Sequence, residues 1–281
     1  MRRHPSLTAL LAVMAVAPGS VASQTRCPEG VVPARVALVA GGFAAGQVAV
    51  LAIRHDDWWT TPGTAFHFTS GGSASAGQDL LLHGFVAYQT AQVGRALFDW
   101  ACLSPSAAGW LGAALGVAVG LPKEIGDGLH ARKGFALDDF GVSVAAALLP
   151  ALHRTVPATR AVALEALYWP SAEYRDRPPG GLPQLENDYA GQRYYLAIHP
   201  GALPGGAGAW PDWLGMAVGH GVPTWASTPP SHDWYVGLDL RLAGLPIRGA
   251  LWRRLAPVLD QIHLPWPGIR IRDGGVVFGL F

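Results

Sequence analysis

The chain has 281 residues; half are hydrophobic and only 14% are charged, against the roughly 25% usual in soluble domains. Twenty Lys and Arg against nineteen Asp and Glu leave a formal charge of +1, which excludes the dense positive surface that nucleic-acid binding requires. The mean hydropathy of +0.24 points instead to contact with lipid, and Gly and Pro are spread between apolar runs rather than gathered in a low-complexity tract.

The first segment reads as an export signal. Arg2 and Arg3 supply a positive start, Leu7 to Val16 an apolar stretch, and Pro18 and Gly19 a break. Val21-Ala22-Ser23 places small residues where a signal peptidase reads, so residues 1–23 are expected to be a signal peptide cleaved after Ser23. The alternative, an uncleaved anchor, meets the difficulty that the run is short for a bilayer span. Gln24-Thr25-Arg26 before Cys27 is not a lipidation box. Export places Cys27 and Cys102 where a disulfide could persist, although their spacing does not show that the side chains meet.

Arg35 to Arg54 encloses apolar and small residues broken only by Gln47, a candidate membrane-spanning helix or, equally, a buried core helix. Its Gly41, Gly42 and Gly46 suit close helix packing as well as lipid. A loop rich in Trp, Thr, Gly and Ser follows from Trp58 to Gly77. An amphipathic helix is expected from Asp79 to about Leu97, an apolar one from Ala107 to Asp127 around Pro122, and a third, capped by Asp138 or Asp139, to about His153.

Beyond Pro157 the character changes. A short helical piece is expected over Ala158 to Tyr168, then Pro- and Gly-rich loops separate strand-like runs at 194–198, 214–218, 235–240 and 276–278, with one helix near Gly249 to Leu259. The expected architecture is α+β: about four apolar helices bundled over residues 35–155, a connecting segment over 156–185, and an antiparallel sheet with one helix over 186–281. Alternation in Tyr235 to Leu240, and a chain that ends on Phe281, also resemble the closing strands of outer-membrane barrels, but the strands are too few for a closed barrel of eight.

One polar constellation stands out in a chain so short of charge. Asp79 and His83 are four apart and share a helix face; Glu124 and Asp127, three apart, do the same; Asp139 opens the next helix. Carboxylates among apolar helices cost several kcal/mol if unpaired, so these groups are expected to meet one another, a cation or water. Three readings are open: a paired network that fixes helix register; a hydrolytic site with His83 as base, Asp79 orienting it and Glu124 or Asp127 as acid; or a divalent-metal site built from His83 and carboxylates. His67, between two Phe residues, reads as packed rather than ligating, and Ser143 as bonding back to its own helix. No nucleophile elbow, phosphate loop or Cys-x-x-Cys occurs.

The order Asp79-x-x-x-His83, Phe85-x-x-Tyr88-Gln89, Glu124-x-x-Asp127-Gly128 and Gly134-Phe135-x-x-Asp138-Asp139 resembles the YfiM-like family of predicted periplasmic lipoproteins, the domain of unknown function numbered 2279. Trp58, Phe66-His67-Phe68, the stretch Asp188 to Leu196 and Trp210-Pro211-x-Trp213 extend the resemblance over roughly residues 35 to 281. The Asp-His, Glu and Asp series is more distantly similar to VanZ-like envelope proteins. The resemblance implies an envelope location, with membrane or envelope components as partners, and carries no established reaction. This chain departs from the family in having Leu80 where a Lys is usual, Ser143 where an Asn is usual, and no lipidation box.

Overall fold

A computed structural model describes residues 27, 30–60, 62–70, 76–176, 185–206, 208–224 and 231–281. The expected signal peptide and most of the expected linker at Arg175 to Pro183 lie outside them. The chain divides into two compact units. One contains the described residues 27–70 and His83–Thr155, the other residues 76–82 and Val156–Phe281.

The first unit is helical. Helix α1 (Pro33–Trp58) starts on a proline at its first turn, where a missing N–H costs nothing. Helix α2 is Gln78–Trp100, its first turn belonging to the other unit. The expected single helix from Ala107 to Asp127 is two, α3 (Pro105–Ala118) and α4 (Leu121–Gly128), because the chain turns at Val119-Gly120 before Pro122 opens the second. Ser104 caps α3 by accepting from the Ala107 N–H. Helix α5 (Leu137–Thr155) follows a two-strand parallel pairing of β1 (Phe68–Thr69) with β2 (Phe135–Ala136).

Small residues set the packing of α2, α3 and α5. A Cβ added to Gly116 would stand 2.5 Å from the Ala87 carbonyl oxygen and 2.8 Å from the Ala147 Cβ, so the helices approach to backbone contact there. Val39 of α1 packs with Phe98 and Ala108, and it is the one buried residue of that helix. A Cβ at Gly41, Gly42 or Gly46 would meet nothing within 4 Å, so these glycines serve no helix contact among the described residues. Cys27 and Cys102 form a disulfide, and the Arg35 guanidinium donates to the Trp100 carbonyl at 2.8 Å beside it.

The second unit is an antiparallel meander of six strands in sequence order: β3 (Val162–Tyr168), β4 (Gln192–Ile198), β5 (Leu214–Gly221), β6 (Asp233–Leu240), β7 (Pro267–Arg272) and β8 (Gly275–Leu280). The short α6 (Ala172–Arg175) follows β3, and α7 (Ala250–Leu259) joins β6 to β7. The helical piece expected over Ala158 to Tyr168 is a 3₁₀ turn at Pro157–Ala161 followed by β3, which pairs with β4 along all seven of its residues. Its Ala, Leu and Glu favour a helix locally, but the ladder overrides that preference.

Register gives the sheet an inverted polarity. One face carries the row Glu165, Tyr195, Gly219, Tyr235, Arg270 and Val277 and, beside it, Ala163, Ala197, Ala217, Gly237, Gly268 and Gly279. The opposite face carries Leu164, Leu196, Val218, Val236, Ile269 and Phe278 in one row. Of these, Val218 is 48% exposed and Phe278 83%. Over β3 to β6 the charged and small residues are thus the more covered, while Leu196, Val218 and Val236 on the other face are exposed, the reverse of a water-facing sheet. Residues 261–263 partly cover the free edge of β3, through Ala166 N–H to the Gln261 carbonyl and His263 N–H to the Ala166 carbonyl.

Candidate functional site

The helical unit assembles part of the expected constellation. His83 stands in the second turn of α2, Glu124 on α4 and Asp139 in the first turn of α5, and the last two are buried. His83 Nε2 lies 3.8 Å from Glu124 Oε1, and His83 and Asp139 offer ligand atoms within 4.8 Å of each other. Lys123 Nζ approaches the same Glu124 oxygen at 3.7 Å. Glu124 Oε2 accepts the Ala136 N–H at 3.1 Å, whereas Oε1 accepts no hydrogen bond from the described residues. Ser143 donates to the Asp139 carbonyl at 2.8 Å, the back-bond its spacing predicts.

Asp127 takes a different part. Its carboxylate accepts from Lys123 Nζ at 2.8 Å, Lys133 Nζ at 3.1 Å and the Trp59 indole at 2.7 Å. With its lone pairs committed to two ammonium groups and an indole, it clamps α4 to the residue that ends α1, and it is not a free acid for His83. Asp79, in the first turn of α2, belongs to the sheet unit and accepts the Tyr189 hydroxyl at 3.0 Å there. His67 sits in the β1–β2 corner with Nδ1 3.3 Å from the Ala65 carbonyl, a packed position as expected.

The sheet unit holds a second buried cluster that sequence reasoning missed. Glu165 projects from β3, Asp239 from β6, His199 follows β4, and His263 follows α7; each is at most 4% exposed. Asp239 divides its oxygens: Oδ2 is 2.8 Å from His199 Nε2 and Oδ1 is 3.0 Å from His263 Nδ1. His263 Nδ1 is also 3.1 Å from Glu165 Oε2, while its Nε2 faces the Phe281 carbonyl at 3.2 Å. Tyr195 stacks on the His263 ring with centroids 3.7 Å apart.

Electrostatics in this cluster follow from who faces whom. Burial alone would lower His263, but hydrogen bonds and charge from Asp239 and Glu165 outweigh it and raise the imidazole to about 9. Burial raises Glu165, with the Asp239 charge adding to the effect against the opposing hydrogen bond from His263. Asp239 moves down: burial would raise it, but hydrogen bonds from His199 and His263 prevail. The signal that could have located the cluster was parity, since Asp239 shares its strand face with Tyr235 and Gly237; the partners could not be known without the register.

A third polar chain runs from the buried Gln78 and His220 out to the exposed His232. The Gln78 side-chain amide donates to the Gln192 carbonyl at 2.8 Å, so its Oε1 accepts from His220 Nδ1 at 2.9 Å, and His220 Nε2 accepts from His232 Nδ1 at 2.9 Å. That arrangement uses neutral His220. Burial, reinforced by His232 and opposed by Asp233, accordingly lowers its pKa to about 4.

No family model, curated protein or solved structure matches the chain significantly.

Proposed function

We propose that the chain is an exported cell-envelope protein held at a membrane by α1, its helical unit a bundle whose polar centre of His83, Glu124 and Asp139 fixes helix register. The observation that carries this is α1 itself. It runs 26 residues with a mean hydropathy of 2.1 over its most apolar window, and only 6% of that window is buried. Arg35 and Arg54 bracket about 30 Å of helix, the thickness of a bilayer's hydrocarbon core. Leu38, Val48 and Ile53 are each more than half exposed, which in water would cost on the order of 1 kcal/mol or more apiece.

The other long apolar stretch, Pro105–Gly128, buries Ala108, Gly109, Gly112, Ala113 and Gly116, and is read as a core element rather than a span. The bare aliphatic rows of the sheet support an apolar surrounding, as does the resemblance to YfiM-like proteins, which we extend to this chain as part of the proposal. The test is fractionation of cells expressing the full chain. Retention in the membrane pellet through osmotic shock and carbonate wash, with a mature N-terminus at Gln24, is the expected result; release by osmotic shock would refute it.

One observation favours a second reading, a metal-dependent or acid/base hydrolase acting on an envelope lipid or glycan intermediate. The buried Glu124 oxygen that accepts no hydrogen bond faces His83 at 3.8 Å, where a divalent metal or a proton in transfer would be held. Comparing Asp79→Asn and His83→Ala separates the two. Lost thermal stability without bound metal supports the structural reading, whereas unchanged stability with lost metal or turnover supports the site.

A further inference from the structure

We infer that the sheet unit contains a divalent transition-metal site formed by His199, Asp239 and Glu165, with His263 beside it. The donor set is one imidazole nitrogen and two carboxylates, the mixture that suits Zn, Mn or Fe rather than Ca or Mg. One ligand atom from each of Glu165, His199 and Asp239 lies within 4.8 Å of the others, and all three residues are buried.

Three features around the cluster are those a metal centre needs. His263 Nδ1 lies 3.0 Å from Asp239 Oδ1 and 3.1 Å from Glu165 Oε2, so it holds one oxygen of each carboxylate in place. Tyr195, stacked on the ring, fixes its plane. Gly215 makes room for His199, since a Cβ there would come within 2.7 Å of the imidazole Cδ2.

The site is independent of the His83 centre and does not rest on the proposed membrane role.

The experiment uses the full-length protein purified in a mild detergent, stripped with a chelator and titrated with Zn²⁺ and Mn²⁺, with metal content measured after desalting. The expected result is one equivalent retained, a rise in Tm on metal addition, and a tetrahedral d–d spectrum when Co²⁺ is added to the stripped protein. His199→Ala and Asp239→Asn should each weaken binding at least tenfold, the second keeping the shape of the carboxylate, whereas His83→Ala should leave this equivalent in place. Circular dichroism of each variant confirms that a folded protein is being read. No uptake by the folded native chain, which would identify a hydrogen-bonded network only, overturns the inference. So does an equivalent that survives both variants or is lost in His83→Ala.

Discussion

Replacing Gly116 with Ala tests whether the helical unit is assembled by backbone contact. A methyl group at this position would stand 2.5 Å from the Ala87 carbonyl oxygen, 2.8 Å from the Ala147 Cβ and 2.9 Å from the Ala91 Cβ. Carbon atoms rest at roughly 3.5 Å, so α3 would have to withdraw from two neighbours at once by a good fraction of an ångström. Overpacking of this kind costs about 1–3 kcal/mol, while Ala in place of Gly within a helix returns about 1 kcal/mol. The expected net loss is up to about 2 kcal/mol. Gly41→Ala, in a helix where the new methyl meets nothing within 4 Å, should keep the whole propensity gain and be neutral or stabilising. Chemical unfolding of both variants in one fixed detergent, followed by far-ultraviolet circular dichroism, measures the difference. A Gly116→Ala protein as stable as the native chain would show that α2, α3 and α5 do not meet as described.

Two further outcomes can be checked on the same preparation. His220 is held near pKa 4 when folded and returns to its ordinary 6.5 when unfolded, so the unfolded chain binds the extra proton between those values. Its contribution is therefore complete above about pH 6.5 and lost as pH falls toward 4, at most about 3 kcal/mol, and His220→Gln should flatten the unfolding midpoint over that window. An unchanged slope would show that the neutral Gln78–His220–His232 chain is not what folding selects. Reducing the Cys27–Cys102 bond, which closes a separation of 75 residues, should lower stability by up to about 4 kcal/mol from chain entropy, with a shift in non-reducing electrophoretic mobility; no change in unfolding would count against the pairing.

The strands at 194–198, 214–218, 235–240 and 276–278 were legible because a period of two survives in short apolar runs, and the structure extends all four. β7 was not, since Pro267 and Gly268 read as a turn and Arg270 and Arg272 as a solvated face, although both arginines lie on the covered side of the ladder. Glu165 was hidden by helix-favouring neighbours. The helical constellation was readable because three- and four-residue spacings encode a shared face. That logic joined Asp127 to Glu124, but could not foresee that Lys133 and Trp59 would reach Asp127. The His199, Asp239, His263 and Glu165 cluster depends on contacts 24 to 98 residues apart, which no local pattern carries.

The inverted polarity of the sheet also bears on how the molecule can be handled and made. On the proposed membrane role, the exposed aliphatic side chains of the sheet are covered only in an apolar phase. Until then Leu214–Gly221 and Asp233–Leu240 would offer neighbouring copies two adhesive β-runs. A chain so placed calls for an escort before it meets the membrane, and its refolding yield should rise once micelles are supplied.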